Sequence, residues 1–212
     1  MLVEKIVKKD SKNVVVHFNN DEAIILALDI FFQSGLKKND EISDDRFSFL
    51  IRENKLFYIK QRAFRFLGRR PHSASELRVK LMQKGYEKEL IKEVIEYLNQ
   101  KNYLDDFSFA KQFLKDRLEL KGWSKRRLKS ELIKKGINTD VIEKILQENY
   151  DENKEIENAM NAARKKLKSL KTKSNDAVVL KNKLSSFLGL RGYNYDITKE
   201  VCDKLIEEEN PD

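Results

Sequence analysis

The chain is poor in the residues that interrupt or crosslink a fold. It has one cysteine, two prolines and seven glycines in 212 residues. A single cysteine, Cys202, excludes an intramolecular disulfide framework and any multi-cysteine zinc site. Pro71 and Pro211 lie far apart. So few breakers do not suit a many-stranded sandwich or barrel, which must turn every several residues. No apolar run reaches the about 18 residues that a membrane span needs. Glu4 and Lys5 stand where a signal peptide would be apolar. The expectation is a mainly helical, soluble protein of a reducing, cytoplasmic compartment.

Catalytic patterns are also scarce. His17 and His72 show no His-x-x-x-His or glutamate-paired metal spacing. Gly85, Gly122 and Gly136 stand alone, so there is no glycine-rich phosphate loop. Cys202 falls on a core position of the last helix and reads as a small buried hydrophobe. His72 reads as a polar loop residue beside a helix cap. Asp105 and Asp106 read as an N-cap and a first-turn acid rather than a catalytic pair. The reading is a non-enzyme with no cofactor and no metal.

The N-terminal stretch has short β-branched runs at residues 5–8 and 14–18, split by a polar segment at 9–13, which predicts a hairpin. Residues 23–28 fit a third strand, and a short helix ending at Gly35 follows. From Ser43 onward the pattern is helical. Ser43 is an N-cap with Asp44 and Asp45 in the first turn, and one long helix is expected to about Arg69, ended by Pro71. Ser73 and Glu76 form a capping box for a helix that buries Leu77 and Leu81 and stops at Gly85. The next helix, 88–102, buries Ile91, Val94, Ile95 and Leu98.

This unit recurs. Leu77, Leu81, Lys84 and Gly85 map onto Leu128, Leu132, Lys135 and Gly136, and again onto Leu184, Leu188, Arg191 and Gly192. Ser73 maps onto Ser124. Ile91 and Val94 map onto Ile142 and Ile145, while Val94 and Leu98 map onto Val201 and Leu205. A first helix (44–69, 107–121 or 153–170) precedes each pair. The fold class is therefore mainly α, a tandem array of three three-helix repeats behind a small β-hairpin-containing segment. The boundaries are 1–42, 43–104, 105–150 and 151–212. A small three-helix unit has a thin core and leans on its neighbours, which favours an array.

Charge is the remaining signal. Lys plus Arg number 43 against 35 Asp plus Glu, a formal +8. Basic residues crowd residues 60–84, 121–135 and 164–173, whereas acids collect in each third helix and at Glu207, Glu208 and Glu209. A charge run is usually a solvated face, but this segregation points to a polyanionic partner. The contact candidates are Arg65, Arg69, Arg70, Lys121, Lys125, Arg126, Arg127, Lys129 and Lys135. Trp123, just before a basic helix, reads as a staple that packs toward Leu128.

The combination resembles the bacterial RecX regulatory proteins. The resemblance is clearest from Ala63 to Ile137: Ala63-x-x-x-Leu67-x-x-Arg70, Ser73-x-x-Glu76-Leu77, Leu81-x-x-Lys84-Gly85-Tyr86, and Leu104-Asp105-Asp106-x-x-Phe109-Ala110-x-x-Phe113. It continues through Arg117, Gly122, Leu128-x-x-Glu131-Leu132 and Lys135-Gly136-Ile137. The N-terminal segment looks like the longer, Gram-positive form. Asn149, where Leu98 predicts an apolar residue, departs from the pattern. The resemblance implies a modulator of the RecA recombinase that binds its filament on single-stranded DNA. It implies inhibition of filament growth, with ATP hydrolysis, strand exchange and SOS co-protease activity falling in consequence. It carries over no catalytic residue, and a monomer is expected.

Two other classes compete. Three-helix units with a basic helix also resemble Myb-like and homeodomain modules, so direct DNA binding is the alternative, although base-reading Asn and Gln are scarce on the basic helices. That reading predicts a steep salt dependence without any protein partner. A plain scaffold, with +8 serving solubility, predicts binding to neither.

Overall fold

The computed structural model describes residues 1–151 and 154–209. Among them are three strands and ten helices: β1 Val3–Lys8, β2 Asn13–Phe18, β3 Ala23–Ala27, α1 Leu28–Ser34, α2 Asp44–Leu67, α3 Ala74–Met82, α4 Lys88–Gln100, α5 Asp106–Lys121, α6 Lys125–Lys134, α7 Thr139–Asn149, α8 Glu155–Lys171, α9 Ala177–Leu190 and α10 Tyr195–Glu209. Asn153 and Pro211, used above, lie outside the described residues, as does the side chain of Glu209. The chain forms two compact units: Met1–His72 with Leu77–Leu104, and Ser73–Glu76 with Asp105–Asp212.

In the first unit the predicted hairpin and third strand form one antiparallel sheet in the order β1-β2-β3. Alternation along β2 sends Val14, Val16 and Phe18 into the core while Asn13, Val15 and His17 face outward. Leu26, Ile30, Leu36, Ile42 and Leu50 cover that face, with Phe47 edge-on to Phe18 at 5.3 Å. Asn54 on α2 ties the outer strand: its Nδ2 donates to the carbonyl of Ile25 (2.9 Å), and its Oδ1 accepts from the amide of Ala27 (2.8 Å). Both groups belong to β3, one of the two edge strands, where unpaired backbone would otherwise meet water.

Helix α1 ends, as expected, at Gly35 with φ +65°. Ser43 caps α2, accepting from the amide of Arg46. The long helix stops at Leu67, with Gly68 as its cap, before the stretch that Pro71 constrains. Leu77, Leu81, Ile91, Val94, Ile95 and Leu98 are all buried. His72 lies in the loop beside the Ser73 cap, as the sequence predicts, but it is packed inward. It is only 4 % exposed, with its ring beside Phe66 at 6.2 Å and its Nδ1 2.8 Å from the carbonyl of Arg70. A loop position hid a packed aromatic.

The second unit holds two three-helix cores. Leu128, Leu132, Ile142 and Ile145 close one around Phe109, Phe113 and Leu114. Leu184, Leu188, Val201, Cys202 and Leu205 close the other around Ala159, Ala163 and Leu167. Asp105 caps α5, accepting from the amides of Phe107 and Ser108. Asn149, the odd residue of the repeat, turns its amide back to the carbonyl of Ile145, and Tyr150 next to it is buried instead. Its hydroxyl accepts from the first-turn amide of Lys125 at 3.1 Å. Cys202 is fully buried, as its core position predicts, and burial pushes its thiol up.

Candidate functional site

Five of the nine basic candidates cluster at the start of α6 and the end of α5, so the local chain path comes first. The glycine after α5, Gly122, turns it sharply, and Ser124 then caps α6 by accepting from the amide of Arg127. Ser124 is almost fully buried because the end of α9 lies on it. Its amide donates to the carbonyl of Arg191 (3.0 Å), and the Arg191 Nε donates to the carbonyl of Lys121 (2.7 Å). Arg126 Nε donates to the carbonyl of Gly192 (3.1 Å).

The equivalent positions one repeat earlier form a matching joint, also within the second unit. Ser73 accepts from the amide of Glu76 while its hydroxyl donates to the carbonyl of Lys135 at 2.7 Å. Lys135 and Arg191 occupy the same repeat position, as do Gly136 and Gly192. A Cβ on Gly136 would stand 2.3 Å from the Cβ of Ser75, and one on Gly192 would stand 2.6 Å from the Oγ of Ser124. Both glycines have left-handed φ, +72° and +90°. The recurring Lys/Arg-Gly pair thus does two things: it ends a helix, and it seats that end on a buried serine cap.

Guanidinium and aromatic groups alternate around the second joint. Arg117 lies over Phe113 (4.9 Å) and Trp123 (5.3 Å), Arg127 lies over Trp123 (4.4 Å), and Arg191 lies over Phe187 (3.5 Å). Trp123 packs on the core that holds Leu128 and meets Phe113 edge-on at 6.0 Å, in keeping with a staple. Arg191 is half-buried; burial first, and then the neighbouring Arg127, hold its guanidinium below the usual arginine range.

The basic candidates separate by how they are engaged. Arg65, Arg69 and Arg70 lie in the first unit and are exposed; Arg70 also donates to the carbonyl of Pro71. The other six lie in the second unit. Lys121 is exposed. Lys125 supplies its amide to Tyr150, and Arg126 and Arg127 hold the joint and Trp123. Lys129 is ion-paired with Glu143. Lys135 is ion-paired with Glu76 at 2.5 Å, with side chains only 23 % and 17 % exposed, and its ammonium lies over Phe113 at 5.2 Å. Sequence reasoning passed over Arg191, although its register with Lys135 marked it. It also passed over the α8 lysines as sites, because a charge run alone does not show what it faces.

Among the described residues no group of His, Cys, Asp and Glu is arranged to hold a metal, and no helix is long and apolar enough to cross a membrane.

A small sheet followed by three-helix units that carry serine caps and left-handed glycines defines a helical-repeat protein rich in basic residues. Comparison with known proteins places it further. Residues 60–98 match "RecX, first three-helix domain" and residues 105–146 match "RecX, second three-helix domain". The chain is 32% identical over 199 residues to "Regulatory protein RecX" of Clostridium botulinum (strain Eklund 17B / Type B), covering 94% of this chain and 92% of that one. It is 33% identical over 205 residues to the protein of that name from Clostridium acetobutylicum, covering 96% and 94%. A crystal structure of regulatory protein RecX superposes with a TM-score of 0.68 at 16% identity, covering 95% of this chain and 98% of that one. RecX from Lactobacillus salivarius gives 0.56 at 21% identity, covering 72% and 97%. The chain belongs to the RecX family of regulatory proteins.

Proposed function

We propose that this protein is a non-enzymatic regulator of the RecA recombinase: it binds along the filament that RecA forms on single-stranded DNA and inhibits it. ATP hydrolysis, strand exchange and SOS co-protease activity fall as the filament stops growing. The observation that carries this reading is membership of the RecX family over 94% of the chain. The charge distribution supports it. A nucleoprotein filament is a polyanion, and Arg65, Arg69 and Lys121 expose cations that no ion pair or hydrogen bond of their side chains occupies among the described residues. Several modest contacts on successive protomers add through effective concentration. The protein acts as a cytoplasmic monomer in this account.

Arg126 and Arg127 also belong to the proposed surface, but reversing them disturbs the joint with Gly192 and the stack on Trp123. The cleaner test reverses Arg65, Arg69 and Lys121 to Glu together. The expected result is a helical CD spectrum like wild type and co-sedimentation with RecA filaments weakened about tenfold or more. Full filament binding by the folded triple variant removes these residues from the account.

A further inference from the structure

A groove in the second unit, about 440 Å³, runs between the end of α5, the outer face of α8 and the end of α9. Lys121, Lys165, Lys166 and Arg191 line it against a single acid among the described residues, Glu119. Leu120 stands on its rim, 75 % exposed. Beyond Lys166 and Phe187, which line both, a second depression continues between α8 and α9 with Lys173, Lys183 and Leu190, the last 72 % exposed. None of the groove lysines has an ion pair among the described residues.

Arg191 is the prepared element. Its Nε is pinned to the carbonyl of Lys121, and its guanidinium lies 3.5 Å from the centroid of Phe187. Its terminal nitrogens make no hydrogen bond among the described residues, so the fork is oriented and open. That geometry suits a carboxylate bound through two parallel hydrogen bonds. A phosphate would satisfy the charge equally, so the apolar residues decide between the two. Single-stranded nucleic-acid sites pair cations with open aromatic faces for the bases. Among the described lining residues Phe187 is the one aromatic; it is packed on the third-repeat core and covered by Arg191, with Lys166 at 5.8 Å. What the groove exposes is aliphatic, Leu120 and Leu190, which suits leucine-like side chains.

We infer that this groove is a docking site for an acidic protein segment, with a carboxylate on the Arg191 fork, further carboxylates along the α8 lysines and aliphatic side chains on Leu120 and Leu190. The inference does not rest on RecA as the partner.

The test is fluorescence anisotropy of three labelled probes: a short peptide rich in Asp, Glu and Leu, the same peptide with Asn and Gln for its acids, and oligo(dT). The acidic peptide is expected to bind at least about tenfold more tightly than its neutral counterpart, since the charged contacts carry recognition. Lys121→Glu with Lys165→Glu, both exposed and without an ion pair among the described residues, is expected to weaken it by about tenfold or more. Arg191→Lys is expected to cost several-fold by losing the fork. Lys199→Glu, on the exposed side of α10, is expected to leave binding unchanged. Equal binding of the two peptides overturns the proposal, as does no binding of either. It also falls if Lys199→Glu weakens binding as much as the groove variant. Tighter binding of oligo(dT), lost in the groove variant, assigns the groove to nucleic acid and likewise overturns it.

Discussion

Gly192 lies so close to Ser124 that a Cβ on the glycine would come within 2.6 Å of the serine hydroxyl, and within 2.7 Å of the Cβ of Arg127. The glycine also has φ +90°, where an L side chain is strained. Gly192→Ala therefore combines a left-handed penalty with overpacking, about 2–4 kcal/mol together. Thermal unfolding should drop by roughly 4–16 °C for a chain of this size. Gly189 is the control. It sits inside α9 with nothing near its missing Cβ, so Gly189→Ala should hold stability or raise it by up to about 1 kcal/mol. Equal effects from the two would contradict both the left-handed strain and the close approach to Ser124.

The ion pair of Lys135 with Glu76 is mostly buried, whereas that of Lys92 with Glu96 is open to solvent at 76 % and 57 %. Double-mutant cycles to Ala and Gln should give a coupling of about 1–3 kcal/mol for the first pair. The second should give about 0.3–0.5 kcal/mol, screened by salt. The reading of Lys135 as chiefly a structural cation fails if both pairs couple equally weakly.

Two buried tyrosines give an alkaline signature. The hydroxyl of Tyr193 is buried without a hydrogen-bond partner among the described residues. Burial, and the nearby Glu155 carboxylate, push it up to about 12. Tyr150 is raised further, again mainly by burial. The unfolded chain ionises at about 10. Between about 10 and 12 the unfolded state thus loses the proton that the folded state keeps, and stability falls as pH rises. Tyr193→Phe should be neutral or slightly stabilising at pH 7, since it removes an unsatisfied hydroxyl. It should also make the loss above pH 10 shallower in urea titrations. An unchanged alkaline slope would show that Tyr193 ionises in the folded chain as it does in the unfolded one.

Much of this architecture was legible in the sequence because it rests on local chemistry. Ser43, Asp105 and Ser124 each accept the amides that capping rules assign to them. The glycine repeated after three pairs of leucines is left-handed at Gly85, Gly136 and Gly192 alike. What periodicity does not reveal is which distant group a side chain meets. The sequence makes Glu76 a partner of its own helix end, whereas the structure shows its carboxylate paired with Lys135, 59 residues away. His72 is the loop residue that the sequence predicts, but nothing in its neighbours along the chain shows the ring of Phe66 beside it. Arg191 escaped notice because its value lies in one pinned nitrogen and one covered ring, both set by tertiary contact.

The central claim, regulation of RecA on single-stranded DNA, is tested most directly by steady-state ATP hydrolysis of the cognate RecA on single-stranded DNA as this protein is titrated in, with a gel shift on DNA alone in parallel. The account predicts that hydrolysis falls at concentrations where DNA alone is not shifted. Unchanged hydrolysis together with strong, salt-sensitive binding to bare DNA would contradict it and establish a direct DNA-binding protein instead.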